Sequence, residues 1–201
     1  MIHTITEWLL SNKIELLGAI LGIMYIIFSI RQNLFTWPTG ILTSLIYIVV
    51  FYKSALYAAM GLQVYYVLIS IYGWILWLRG KTENSKSLLS VQFVKRELWL
   101  KIAVALITIY AVILLILLNF SDSDVPFMDS LTTSLSIVAT LMLAKKYIEH
   151  WIIWIFVDVV SSGLYIYKNL WPTVVLFCIY TVMAFIGYVA WKKDLNLKIE
   201  K

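Results

Sequence analysis

From Ile14 to Trp191 the chain is one apolar run after another, each about as long as a bilayer is thick, with short polar breaks between them. Inside hydrocarbon no water is present to satisfy backbone N–H and C=O groups, so such runs must close their own hydrogen bonds as helices. A crossing takes about 20 mostly apolar residues. On that measure the expected spans are 14–30, 37–52, 55–78, 98–118, 129–144, 150–168 and 173–191. The fold class is all-α: a polytopic membrane protein with seven transmembrane helices, residues 1–201 forming a single membrane domain. Charged residues make up 13% of the chain and hydrophobic ones 62%, against about a quarter charged in soluble domains.

The net charge of +5 does not point to nucleic acid as a partner, because the basic residues lie between apolar runs and form no patch. They act instead as topology signals. Arg31, Arg79, Lys81, Lys86, Lys95, Arg96, Lys101, Lys145, Lys146 and the tail lysines 192, 193, 198 and 201 share one side, 13 of the 16 basic residues. Lys13, Lys53 and Lys168 share the other with Asp122 and Asp124. The positive-inside rule then puts the N-terminus outside and the C-terminus in the cytoplasm. The N-terminus has no basic cluster or small-residue cleavage site, so no signal peptide is expected. Cys178 lies alone in an apolar run, and His3 and His150 make no metal motif. No catalytic set, metal site or cofactor site is expected.

Sliding the chain against itself by 114 residues gives a gapless match. Trp37 falls on Trp151, Tyr66 on Tyr180, Gly73 on Gly187 and Trp77 on Trp191, while Arg31 falls on Lys145 and Arg79 on Lys193. Together these predict that helices one to three (14–78) recur as helices five to seven (129–191), with 98–118 as a linker helix. The two copies start four crossings apart and so run in the same orientation. This is the parallel-repeat plan of several transporters, three-plus-one-plus-three, with the solute site near the midplane between halves.

Ligand contact is expected where the copies differ. The sixth span carries Asp158 about nine residues in, or roughly 14 Å at 1.5 Å per residue, near the middle of a core about 30 Å thick. A carboxylate there costs about 2.5–3.5 kcal/mol on insertion scales and must face protein or water. Trp151, Trp154, Asp158, Ser161 or Ser162, and Tyr165 share its helical face; their counterparts are Trp37, Gly40, Ser44, Tyr47 and Phe51. The candidate substrate-binding residues are Trp154, Asp158, Gln63, Tyr66, Trp151, Trp37, Ser44, Tyr47, Ser162, Tyr165 and Tyr180. An acid beside indole faces suits an aromatic cation. For Trp37 and Trp151 packing is an equal alternative. Trp77 and Trp191, next to Arg79 and Lys192, are expected in the interfacial aromatic belt, and the hydroxyls of 129–144 in helix packing.

Several motifs identify the chain as similar to the PnuC family of bacterial vitamin transporters: Trp37-Pro38-Thr39-Gly40, Leu62-Gln63-x-Tyr65-Tyr66, Ile71-Tyr72-Gly73-Trp74-x-x-Trp77, and Trp151-x-x-Trp154-x-x-x-Asp158 with Gly163-Leu164-Tyr165. The resemblance spans all seven helices. It implies facilitated diffusion of nicotinamide riboside across the bacterial inner membrane, with a cytoplasmic kinase trapping the product by phosphorylation. It further implies a fold related to the SWEET sugar carriers, a homotrimer, and no enzymatic activity. Thiamine and riboflavin transport within the family, and a SWEET-like sugar carrier, are the alternatives. An intramembrane enzyme would need a nucleophile with a base or a metal cluster, and His and Cys are not placed to supply one.

Overall fold

The computed structural model describes residues 13–53, 57–80, 89–121 and 123–199. Among the described residues seven helices follow one another: α1 Lys13–Ile30, α2 Thr36–Lys53, α3 Tyr57–Arg79, α4 Arg96–Phe120, α5 Pro126–Ala144, α6 His150–Tyr167 and α7 Trp171–Ile199. Among the described residues five stretches are long and apolar enough to cross a membrane, in α3 to α7, and shorter apolar helices cover Leu17–Ile30 and Thr36–Val49. The all-helical membrane architecture is as expected. One boundary is corrected: α7 runs past Trp191 to Ile199, where a basic tail was expected. Leu195 is buried and continues the stripe of Ala184, Gly187 and Trp191 at helical spacing, so Lys192 and Lys193 ride on the exposed side of a continuing helix.

The chain divides into two compact units, Met1–Leu78 and Arg79–Lys201. Within the first, α1 ends in a left-handed cap. Gln32 has φ 51°, its N–H bonds the Ser29 carbonyl at 3.0 Å, and the Asn33 N–H reaches back to Phe28 at 2.8 Å. That 5→2 and 6→1 pair is a Schellman motif, which satisfies carbonyls the helix end would leave open. Within the second unit α5 ends identically. Lys146 has φ 54°, bonds Leu143 at 2.9 Å, and Tyr147 bonds Met142 at 3.0 Å. The correspondence continues into the next helix. Thr36 and Trp37 bond Asn33 and Leu34 just as His150 and Trp151 bond Tyr147 and Ile148. Each of these bonds is displaced from its twin by 114 residues.

The second unit has a feature the helical pattern did not signal. Residues 91–94 precede α4 and lie along the α5–α6 turn as a strap, with Gln92 bridging Tyr147 in parallel. The Gln92 N–H donates to Lys146 O at 3.1 Å and the Ile148 N–H to Gln92 O at 3.0 Å. The Val94 N–H donates to both Glu149 carboxylate oxygens, at 2.9 and 3.2 Å. Val94 then heads a core cluster with Val138 and Met142, against which Leu98, Ile102, Leu106 and Ile109 of α4 pack. α4 has no fully buried residue. Its other faces are apolar, as contact with hydrocarbon requires.

Candidate functional site

In each unit the site helix is held by a tryptophan wedged over a glycine. Trp37, at the start of α2, is fully buried (0%) with its ring on Gly73 of α3, and it meets Trp77 edge to face at 5.2 Å and 86°. Trp151, at the start of α6, lies on Gly187 of α7 and meets Trp191 at 5.7 Å and 87°. Trp77 and Trp191 are buried at 3% and 0%, so neither is a belt residue. Proximity to Arg79 and Lys192 misled that expectation, because each indole points back into its own unit. Glycine is required at both places because the indole occupies the space of a side chain. The indole N–H groups of Trp37 and Trp151 are buried without a hydrogen-bond partner among the described residues. The geometry gives both tryptophans a packing role.

His150 replaces Thr36 at the turn. Thr36 Oγ1 donates to the Asn33 carbonyl at 2.7 Å, and His150 Nδ1 lies 2.7 Å from the Tyr147 carbonyl. A carbonyl only accepts, so Nδ1 carries the proton. The ring then rests on Trp151 and Trp191, at 4.5 and 4.8 Å between centroids.

Beyond the wedge, α6 presents its stripe. Asp158 is 5% exposed, and among the described residues its carboxylate takes part in no hydrogen bond or ion pair; only its backbone carbonyl is engaged, by Ser162 Oγ at 2.8 Å. Ser162 is thereby occupied with the helix's own backbone, while Ser161 is the serine buried beside Asp158. Trp154 is central in this buried arc yet only half-buried. Tyr165, one turn past Ser161, meets Phe177 of α7 in a tilted ring contact at 4.9 Å, and Phe177 meets Tyr180 at 5.6 Å. The stripe is therefore pinned at one end by Trp151 on Gly187 and at the other by Tyr165 on Phe177, with Asp158 between. Phe177 is not among the residues expected from the sequence to contact the solute.

In the first unit Ser44, the counterpart of Asp158, is buried. Tyr47 lies over Gly18 of α1. Gln63 and Tyr66 are half-buried on α3, with the Tyr66 ring 5.6 Å from that of Tyr65. The hydroxyls of α5 serve packing as expected: Ser130, Ser134, Ser136 and Thr140 are buried and donate to carbonyls of their own helix at 2.7–3.0 Å. At the far end of α6, Lys168 pairs with Asp124 at 3.0 Å. The hydrogen bond from Lys168 holds the Asp124 carboxyl below its ordinary range. That pair is exposed and contributes little. Asp122 lies outside the described residues, and so does the side chain of Glu15. Among the described residues no cluster of metal-ligating side chains forms.

Comparison with known proteins bears on this geometry. A family profile described as "Nicotinamide mononucleotide transporter" matches residues 12–193. The nicotinamide riboside transporter PnuC of Escherichia coli (strain K12) is 25% identical over 202 aligned positions, covering 89% of this chain and 84% of that protein. The riboflavin/roseoflavin transporter RibM of Streptomyces davaonensis is 32% identical over 151, covering 75% of this chain and 70% of its own length. Among solved structures, the crystal structure of the vitamin B3 transporter PnuC superposes with a TM-score of 0.77 at 20% identity, over 96% of this chain and 86% of that one.

Proposed function

This chain belongs to the nicotinamide mononucleotide transporter family, and from that membership we propose that its cargo is nicotinamide riboside, carried by facilitated diffusion. The coarser statement needs no proposal: it is a multi-pass vitamin transporter of the bacterial inner membrane, and its relatives are transporters, not enzymes.

The observation that carries the finer reading is Asp158, a buried carboxylate without a side-chain partner among the described residues, one turn from the half-buried Trp154. An ionised acid in an apolar helix attracts a cation, and an indole face attracts an aromatic one. Nicotinamide riboside carries a pyridinium ring and meets both demands. A mononucleotide would bring a phosphate toward a carboxylate of like charge. Riboflavin, the cargo named for the relative at 32% identity, has a neutral ring for which the acid does nothing. Thiamine, another aromatic cation, is the alternative that Asp158 equally supports. On this reading Trp154, Asp158 and Ser161 contact the cation, and Trp37 and Trp151 fix the helices that carry the contacts. Solute that enters is consumed by a cytoplasmic kinase, whose phosphorylation makes the product too anionic to leave by the same route.

Uptake of labelled nicotinamide riboside into proteoliposomes tests this. The expected flux is saturable, equilibrates without accumulating, and is indifferent to an imposed pH gradient. Absence of saturable flux overturns the cargo, and accumulation driven by a pH gradient in vesicles lacking kinase overturns the uncoupled mechanism.

A further inference from the structure

α7 is longer than a membrane crossing requires. From Thr173 to Lys192 it rises about 28 Å at 1.5 Å per residue, close to the thickness of a hydrocarbon core, and it runs on to Ile199. Beside its buried stripe of Ala184, Gly187 and Trp191 the helix carries an open groove of about 390 Å³ that crosses this boundary. The apolar part of the groove is Phe185 and Val189, 60% and 51% exposed. Its polar part is Tyr188, Lys192, Lys193 and Asn196. These positions recur at steps of three and four and so share one helical face. Lys192 Nζ stands 5.7 Å from the centroid of the Tyr188 ring, within cation–π range, which holds the ammonium along the groove. Among the described residues neither lysine forms an ion pair. The acidic residue of α7, Asp194, is two positions past Lys192, about 200° around the helix, and falls on another face. At the 114-residue offset the first unit has Leu78 for Lys192 and Trp74 for Tyr188, so the shared scaffold does not itself require a cation there.

We infer that this face of α7 binds one anionic phospholipid, its phosphate held by Lys192, Lys193 and the Asn196 amide and an acyl chain laid along Val189 and Phe185. The order of groups along the helix is that of a lipid: apolar contacts inside the hydrocarbon, cations and an N–H donor where headgroups begin. A zwitterionic headgroup brings its own ammonium and gains little from two lysines. A second copy of the chain meeting this face about a two-fold axis would set lysine against lysine. A soluble acidic partner would reach the lysines but not Phe185 and Val189, which lie at the depth of the lipid tails. The site belongs to α7 alone and is independent of which cargo the protein carries.

The test titrates detergent-purified protein with phosphatidylglycerol, phosphatidylcholine and glycerol 1-phosphate, which keeps the phosphate and lacks the chains, and counts bound copies by native mass spectrometry. One phosphatidylglycerol per chain should bind ahead of any further copy and more tightly than phosphatidylcholine, with no binding of glycerol 1-phosphate over the same range. Lys192→Gln with Lys193→Gln should weaken that first copy by about ten- to thirtyfold, the effect of two lysines at a charged membrane surface. It should leave phosphatidylcholine binding and the melting temperature at wild-type values, and each single variant should give part of the loss. Arg96→Gln with Lys101→Gln removes two exposed cations of α4 outside the groove and should leave phosphatidylglycerol binding unchanged. Equal weakening by the two double variants would reduce the effect to general charge attraction and overturn the site. Wild-type lipid affinity in Lys192→Gln with Lys193→Gln, equal affinity for the two lipids, or glycerol 1-phosphate bound as tightly as phosphatidylglycerol would overturn it as well.

Discussion

A Cβ added at Gly187 would sit 2.6 Å from the Trp151 ring, well inside contact distance, whereas one added at Gly163 meets nothing within 4 Å. The two glycines lie on facing helices of one unit, so they form a matched pair of probes. Gly187→Ala must displace a buried indole and should cost about 1–3 kcal/mol as overpacking; Gly163→Ala should be neutral or stabilising by up to about 1 kcal/mol, since alanine is the better helix former. Thermal midpoints of the purified variants distinguish them, and equal midpoints would remove the wedge as a structural element. Asp158 calls for the opposite pattern. A carboxylate buried without a hydrogen bond or ion pair is a liability to the fold, so Asp158→Asn should leave the midpoint unchanged or raise it while it weakens cargo binding. A fall in midpoint with affinity intact would return Asp158 to a structural role. Tryptophans in these helices thus divide by position: Trp37 and Trp151 are committed to glycine and to their partner indoles, and Trp154 is only half-buried.

Among the elements, the caps and the strap do the positioning. Lys146 pays for its left-handed φ of 54° with strain that glycine would not incur. Lys146→Gly should therefore stabilise by about 0.5–1 kcal/mol, a gain readable by thermal unfolding; destabilisation would mean that its side chain matters more than its backbone. Glu149→Gln keeps the size of the side chain that receives the Val94 N–H and removes its charge. Hydrogen exchange at Val94 should accelerate in that variant, and unchanged protection would show that the strap is held by the Gln92 bridge alone. The seven described helices were legible in the sequence because membrane length and apolarity mark helices directly. Burial was not. In hydrocarbon a lipid-facing residue and a core residue are equally apolar, so Trp77 and Trp191 could be told from belt residues only by their packing. The strap was hidden for a related reason: Val91, Gln92, Phe93 and Val94 form a short apolar patch inside a polar connection, too brief to register as an element. The extension of α7 was masked by Lys192 and Lys193, which resemble a tail until Leu195 is seen to be buried. The Asp158 stripe, in contrast, was visible as spacing, and the structure adds what pins its two ends.

For the whole molecule, the charge asymmetry predicts that the α1–α2 turn, the α5–α6 turn and the end of α7 all face the cytoplasm. Cysteines introduced at Arg31 and Lys145 in a Cys178→Ser background should resist a membrane-impermeant thiol reagent applied to intact cells, and one at Asp124 should react; the reverse labelling would invert the topology. The agreement of the two turns bond for bond, at one offset, favours a duplicated three-helix unit joined through α4. On that plan the two copies share a scaffold of wedge and cap and divide at Gly40/Trp154 and Ser44/Asp158, where recognition is proposed to reside. The most direct test of that claim is equilibrium binding of nicotinamide riboside, thiamine and riboflavin to purified wild-type protein and Asp158→Asn. Wild type should bind nicotinamide riboside most tightly, and Asp158→Asn should lose about tenfold or more for either cation, of the order of 1.4 kcal/mol, while riboflavin binding is unmoved. Tightest binding of riboflavin, or an Asp158→Asn variant that holds nicotinamide riboside as well as wild type does, would contradict it.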